Sequence, residues 1–210
     1  MSAFYQEIIT QKSWQLLTQL KKQFDFILIG GWAVYLYTKA LKSKDIDLII
    51  DFSQLDKLKQ RYDLFKNSRL NKYEIKKEGI DIDLYLPYFS HLGLPVEQII
   101  KYTNVVEAFT VLKKEVLLIT KQQAYQSRRL SIKGQKDKID ILSLVFLDDF
   151  DFDYYRKIIK LHKLTPFLKT LRDILMETKK VEELGFNQHF FSKKKKQILK
   201  KLLVKIGKNL

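Results

Sequence analysis

The chain has 210 residues, 46% of them hydrophobic, enough for a buried core in one large domain or two small ones. Cysteine is absent, which excludes disulfides and thiolate metal sites and fits a cytoplasmic location; no apolar run reaches transmembrane length, and no basic stretch followed by an apolar one marks a secretory leader at the N-terminus. A formal net charge of +15, from 39 basic and 24 acidic residues, favours polyanionic partners such as nucleic acid, nucleotides or an anionic membrane surface, unless it only reflects a lysine-rich proteome.

Residues 3–23 place Phe4, Ile8, Ile9, Trp14, Leu16, Leu17 and Leu20 on one broad face and predict a helix. Residues 25–29 read as a short buried strand, broken by Gly30 and Gly31, and "GWAVYLYTKAL" then reads as a helix. "DIDLIID", residues 45–51, is a predicted strand. The segment after it reads as a polar-faced helix, with Ser53 as a plausible N-cap and Asp51 as a capping residue in its own right. Residues 71–88 predict two strands around a turn at Glu78–Gly79, and Pro95 suits the first turn of a short helix. "VVEAFTVLKKEVLLI" suggests further strand around a turn at Lys113–Lys114. From Thr120 onward four helical segments follow, the last opening at Thr165–Pro166. The predicted organisation is therefore α/β (α+β) with a mixed sheet over residues 1–119, then an all-helical region over residues 120–210.

The C-terminal segment carries Lys193, Lys194, Lys195, Lys196, Lys200 and Lys201, with no acidic residue after Ser192. Ile198, Leu199, Leu202, Leu203 and Ile206 recur at helical spacing on the opposite side. Such a helix can dock by its apolar stripe with its lysines in water, contact RNA or DNA, or lie on a membrane surface; the first two are compatible.

Two pairs of aspartates carry the chemistry. In an extended strand alternate side chains share a face, so Asp45 and Asp47 point the same way with Cβ atoms about 6–7 Å apart. Two like charges on a buried-looking strand need protonation, basic partners or a bound cation, and Mg²⁺ suits such oxygen ligands. "GIDIDLYL" repeats the pattern with Asp81 and Asp83. If the two strands are neighbours, three carboxylates can serve two cations, an arrangement fit for phosphoryl or nucleotidyl transfer. Gly30 and Gly31, between a strand and a helix, let backbone N–H groups approach an anion. Lys44, directly before Asp45, is a further candidate for phosphate contact.

The combination of Ile29-Gly30-Gly31 with Asp45-Ile46-Asp47-Leu48, with thirteen residues between Gly31 and Asp45, resembles the nucleotidyltransferase superfamily, the group that includes DNA polymerase β, minimal nucleotidyltransferases and abortive-infection (AbiEii-type) toxins. That resemblance covers roughly residues 25–88 and implies a third carboxylate, for which Asp83 fits best and Asp81 is the close alternative. Gly31 stands where many relatives have Ser, so backbone N–H groups replace a hydroxyl. "KQQAYQSRRLSIKGQKDKIDILSL" resembles the abortive-infection branch more narrowly, with Lys121, Arg128, Lys136, Asp137 and Asp140 in its pattern. The resemblance implies that Lys121 and Lys136 hold the triphosphate, with Lys133 a neighbour able to substitute.

The implied activity is transfer of a nucleoside monophosphate from an NTP to an acceptor hydroxyl with Mg²⁺ or Mn²⁺. The acceptor is RNA, such as a tRNA 3′ end, or a protein side chain in a toxin–antitoxin or abortive-infection system. Two other readings are a non-catalytic nucleic-acid-binding module on a decayed transferase fold and an antitoxin-like interaction partner. His91, His162 and His189 show no metal-ligand spacing, and Trp14 and Trp32 sit on apolar helix faces, where core packing is the default.

Overall fold

The computed structural model describes residues 7–203. Its elements in chain order are α1 (Glu7–Lys21), β1 (Ile27–Ile29), α2 (Gly30–Thr38), β2 (Ile46–Ile49), α3 (Phe52–Lys59), β3 (Phe65–Asn67), β4 (Lys72–Lys77), β5 (Ile80–Tyr85), α4 (Val96–Ile99), β6 (Thr103–Val106), β7 (Phe109–Leu112), α5 (Lys114–Arg128), α6 (Ile132–Val145), α7 (Phe152–Leu161), α8 (Pro166–Glu177) and α9 (Gln188–Leu203), with a 3-10 turn at Glu182–Leu184 before the last. The expected helix position Phe4 and stripe position Ile206 lie outside the described residues.

The strands form one mixed seven-stranded sheet in the order β3-β4-β5-β2-β1-β7-β6. β1 runs antiparallel to β2 and parallel to β7, and β2 is parallel to β5. β3, β4 and β5 form an antiparallel meander, and β6 and β7 a hairpin. Alternation along the central strands sorts the side chains by chemistry. Ile46 and Leu48 on β2 and Ile80, Ile82 and Leu84 on β5 are buried on one face. Asp47, Asp81, Asp83 and Tyr85 belong to the opposite parity. α2, α5 and α6 pack together, and α5 and α6 form the most extensive helix pair. Trp32 is a core residue that donates its indole N–H to Ser13 Oγ at 2.9 Å, and the half-buried Trp14 packs against the core with its ring 5.0 Å from that of Trp32.

Several local expectations change. Asp51, not Ser53, caps α3: its carboxylate accepts the Ser53 N–H at 2.9 Å, and the helix begins at Phe52. The turn in the 103–112 hairpin falls at Glu107–Ala108, both left-handed, rather than at Lys113–Lys114. Val116–Ile119 is helical; all four residues are buried, and a run that is apolar all round carries no period to separate strand from helix. α5 starts at Lys114, so Thr120 falls inside it. Pro95 stands one residue before α4, and Thr165 makes no capping bond while Pro166 opens α8. β3 lies in a segment read as helix. The stripe of α9 is docked, with Phe191 and Ile198 buried and Leu199 and Leu202 packed on the core. Among the described residues no helix is long and apolar enough to cross a membrane.

Candidate active site

The parallel pairing of β2 with β5 sets Asp47 directly opposite Asp83. Asp45, one residue before β2, has the same parity as Asp47. All three line a cleft of about 410 Å³ between this face of the sheet and the helices α5 and α6. Asp81 does not line it; its cross-strand partner is Lys76 on β4. The structure therefore brings Asp83, of the two alternatives, to the other carboxylates.

Gly30 and Gly31 are the first two residues of α2. Gly30 has φ +67°, and a Cβ there would collide with the carboxylate of Asp47, so both backbone and contact require glycine. The N-terminus of α2 has no side-chain cap and no acidic residue in its first turn. Gly30 lines the cleft and Gly31 does not, so the positive end of the α2 dipole reaches the acids through the first residue of the helix.

Burial, and then the neighbouring charge of Asp45, pushes the Asp47 carboxyl up, against the pull of Lys121. Asp83 is pushed up to about 6, by burial first and by Asp47 second. Such shifts mark carboxylates whose charge is incompletely compensated by the protein.

The cations around them come from three places. Lys133, half-exposed at the start of α6, lies 2.8 Å from Asp45 Oδ2. Lys121 and Lys136 are buried in a network behind the carboxylates. Lys121 Nζ is 2.7 Å from Asp140 and 3.4 Å from Asp137, Lys136 Nζ is 3.7 Å from Asp140, and Arg128 holds Asp137 through two bonds of 2.7 and 3.1 Å. Burial opposes the charge of Lys121, but Asp140, Asp137 and Asp47 outweigh it and its pKa is raised. The pKa of Lys136 is lowered, chiefly by burial. Both still line the cleft. Lys44 is half-buried and does not line it. The third source, Lys72 at the start of β4, has no counterpart among the residues expected from the sequence: its Nζ is 2.6 Å from Asp83 Oδ2 and 3.0 Å from Glu74 Oε1. Arg69, Asn71 and Ser43 also line the cleft. The period-2 pattern of β4 offers a signal only that alternate residues share a face, and neither the partner strand nor the reach of the lysine is legible from it.

The C-terminal lysines do not line the cleft. Lys194 pairs with Asp148 at 2.6 Å and Lys195 donates to the Thr178 carbonyl at 3.0 Å, while Lys193, Lys196, Lys200 and Lys201 are exposed. His91 is exposed on the cleft wall, His189 is exposed on α9, and His162 lies 3.3 Å from the Tyr102 hydroxyl.

As a donor set, three carboxylates in one cleft fit a hard divalent cation. Among the described residues, however, no three acidic or histidine groups are gathered about a single point as a closed metal site would have them. Two of the three carboxylates are instead engaged by lysines.

No family model and no curated protein matches the chain. Solved structures do. JHP933 from Helicobacter pylori shares 18% identity, with 94% of each chain covered and a TM-score of 0.50. Another structure from H. pylori, of a protein assigned provisionally as a nucleotidyltransferase, shares 17% identity over 94% of this chain and 97% of its own, at TM-score 0.49. An antigenic nucleotidyltransferase-like protein from Paracoccidioides brasiliensis shares 14% identity over 78% and 91%, at TM-score 0.40. The chain shares the fold of JHP933, and at 18% identity the likeness concerns the fold alone.

Proposed function

We propose that the chain is a nucleotidyltransferase that moves a nucleoside monophosphate from an NTP to a hydroxyl at the end of an RNA, such as a tRNA 3′ end, with Mg²⁺ or Mn²⁺ held by Asp45, Asp47 and Asp83. The observation that carries this reading is the opposition of Asp47 and Asp83 across β2 and β5, beside the glycine start of α2. When bound, the divalent ion neutralises phosphate charge and makes the acceptor hydroxyl easier to deprotonate. The N–H groups at Gly30 and Gly31 seat the β- and γ-phosphates, with Lys133 and Lys136 as neighbouring positive charge. The acceptor oxygen forms a bond to the α-phosphorus, the bond from that phosphorus to the bridging oxygen breaks, and pyrophosphate leaves. Asp83, with its raised pKa, takes the hydroxyl proton near neutral pH. The strongly positive chain and the exposed lysines of α9 favour RNA as acceptor over a protein side chain. An abortive-infection or toxin–antitoxin setting is part of the proposal.

The test uses α-³²P-labelled NTPs with total RNA and lysate protein. Label is expected in RNA in a Mg²⁺-dependent manner, and Asp45→Asn with Asp47→Asn should abolish it while leaving the melting temperature of the metal-free protein close to wild type. Equal transfer by the double variant would reject the assignment; label in protein instead of RNA would move the acceptor.

The engagement of Asp45 and Asp83 by lysines favours one second reading, a non-catalytic RNA-binding module. It requires salt-sensitive RNA binding indifferent to divalent cations and no stabilisation by NTP with Mg²⁺.

A further inference from the structure

Across the sheet order β4-β5-β2-β1, Lys72, Asp83 and Asp47 follow one another on the first three strands, and Gly30 stands directly after β1 at the start of α2. If phosphates seat at Gly30, Lys72 lies at the opposite, acceptor end. There it is shared by two acids, Asp83 Oδ2 at 2.6 Å and Glu74 Oε1 at 3.0 Å. Glu74 and Asp83 are direct cross-strand partners, and Glu74 is held by the Asn67 amide at 2.9 Å. The ammonium group can therefore shift between two carboxylates with little movement of its stem. Lys72 is only 11% exposed, whereas Lys133 on Asp45 is 55% exposed and screened by water, so Lys72 is the stronger competitor for a carboxylate.

We propose that Lys72 is a tethered counter-ion that holds Asp83 until a divalent cation displaces it, and that Glu74 receives the displaced ammonium group. This rests on the nucleotidyl-transfer reading and assigns Lys72 and Glu74 as positioning residues. It accounts for the carboxylates standing in one cleft without being gathered about a point. Lys72 supplies the charge that keeps Asp83 ionised and in place; Glu74 keeps Lys72 paired afterwards, so that exchange leaves no buried charge alone.

The experiment is Mn²⁺ binding to the whole protein without nucleotide, read as loss of the free-ion electron paramagnetic resonance signal, with melting temperatures to confirm folding. Lys72→Met is expected to tighten binding about ten-fold, and Lys72→Arg to stay within roughly three-fold of wild type. Glu74→Gln is expected to weaken binding several-fold. The deciding comparison is Lys72→Met with Glu74→Gln, which should bind like Lys72→Met alone, because Glu74 acts only through Lys72. Additive effects in the pair, or equal affinity of wild type and Lys72→Met, would overturn the exchange. Failure of wild type and Lys72→Met alike to bind Mn²⁺, or undiminished binding by Asp45→Asn with Asp47→Asn, would instead sink the cation reading of the site.

Discussion

A methyl group on Gly31 would stand 2.6 Å from Lys136 Nζ, so the second residue of α2 and a lysine of α6 meet with no room between them. Ser43 Oγ would lie 2.7 Å from the same methyl. The Lys136 ammonium is the end of a long side chain and can give way, whereas Ser43 also presents its Cβ, at 2.9 Å, and must shift with its backbone. Gly30 differs: it is left-handed, and its obstacle is the carboxylate of Asp47. Gly31→Ala is therefore expected to fold, with a melting temperature lowered by a few degrees and weakened NTP binding. Gly30→Ala should lose about 1–2 kcal/mol from the backbone alone and abolish transfer by displacing Asp47. Thermal melts and labelled-NTP assays on the two variants check the contrast.

The raised pKa of Asp83 predicts a pH dependence. In the unfolded chain an Asp titrates near 3.9; in the folded protein this one titrates at about 6. Between these values the folded state holds a proton that the unfolded state has lost. Stability should therefore fall as pH rises from about 4 to about 6 and level off above. Asp83→Asn removes this component, so its melting temperature in EDTA should gain on wild type across the same window. Transfer by the wild type should weaken below about pH 6, as the carboxylate becomes protonated.

The buried network behind the cleft should be costly to open on its acidic side. Asp140 is fully buried and accepts the charge of Lys121 at 2.7 Å. Asp140→Ala takes away the principal counter-charge of a buried lysine, at a cost of about 3–5 kcal/mol, or roughly 10 °C in a chain of this size. Arg128 is 42% exposed, and Arg128→Ala should cost less stability, because Asp137 keeps Lys121 as a partner at 3.4 Å. Calorimetry of both variants tests the ranking.

For α9, replacing Lys193, Lys196 and Lys200 by Gln should weaken RNA binding and lower the slope of log affinity against log salt by roughly 2. These side chains are exposed, so the melting temperature should hardly change. Fluorescence anisotropy at several salt concentrations gives the slope. An unchanged slope would remove α9 from the RNA contact.

The parts of the site that lie close in sequence were legible there. Gly30-Gly31, the Asp45–Asp47 pair and the hairpin through Glu78–Gly79 each carry local chemistry that one strand or turn period expresses. What was not legible depends on side chains from distant elements. Lys72 is an ordinary lysine in a lysine-rich chain until β4 is laid beside β5. The pairing of Lys121 with Asp137 and Asp140 appears only once α6 is laid against α5. The choice between Asp81 and Asp83 needed the strand register. β3 is short, with Phe65 and Lys66 exposed, and the Glu107–Ala108 turn uses residues that do not announce a left-handed conformation.

Because α5 runs unbroken from Lys114 to Arg128, its early turns sit in the core while its last turns form a wall of the cleft. One continuous helix thus serves both the core and the cleft, so that Lys121 and Arg128 are placed in the cleft by the packing of Val116–Ile119.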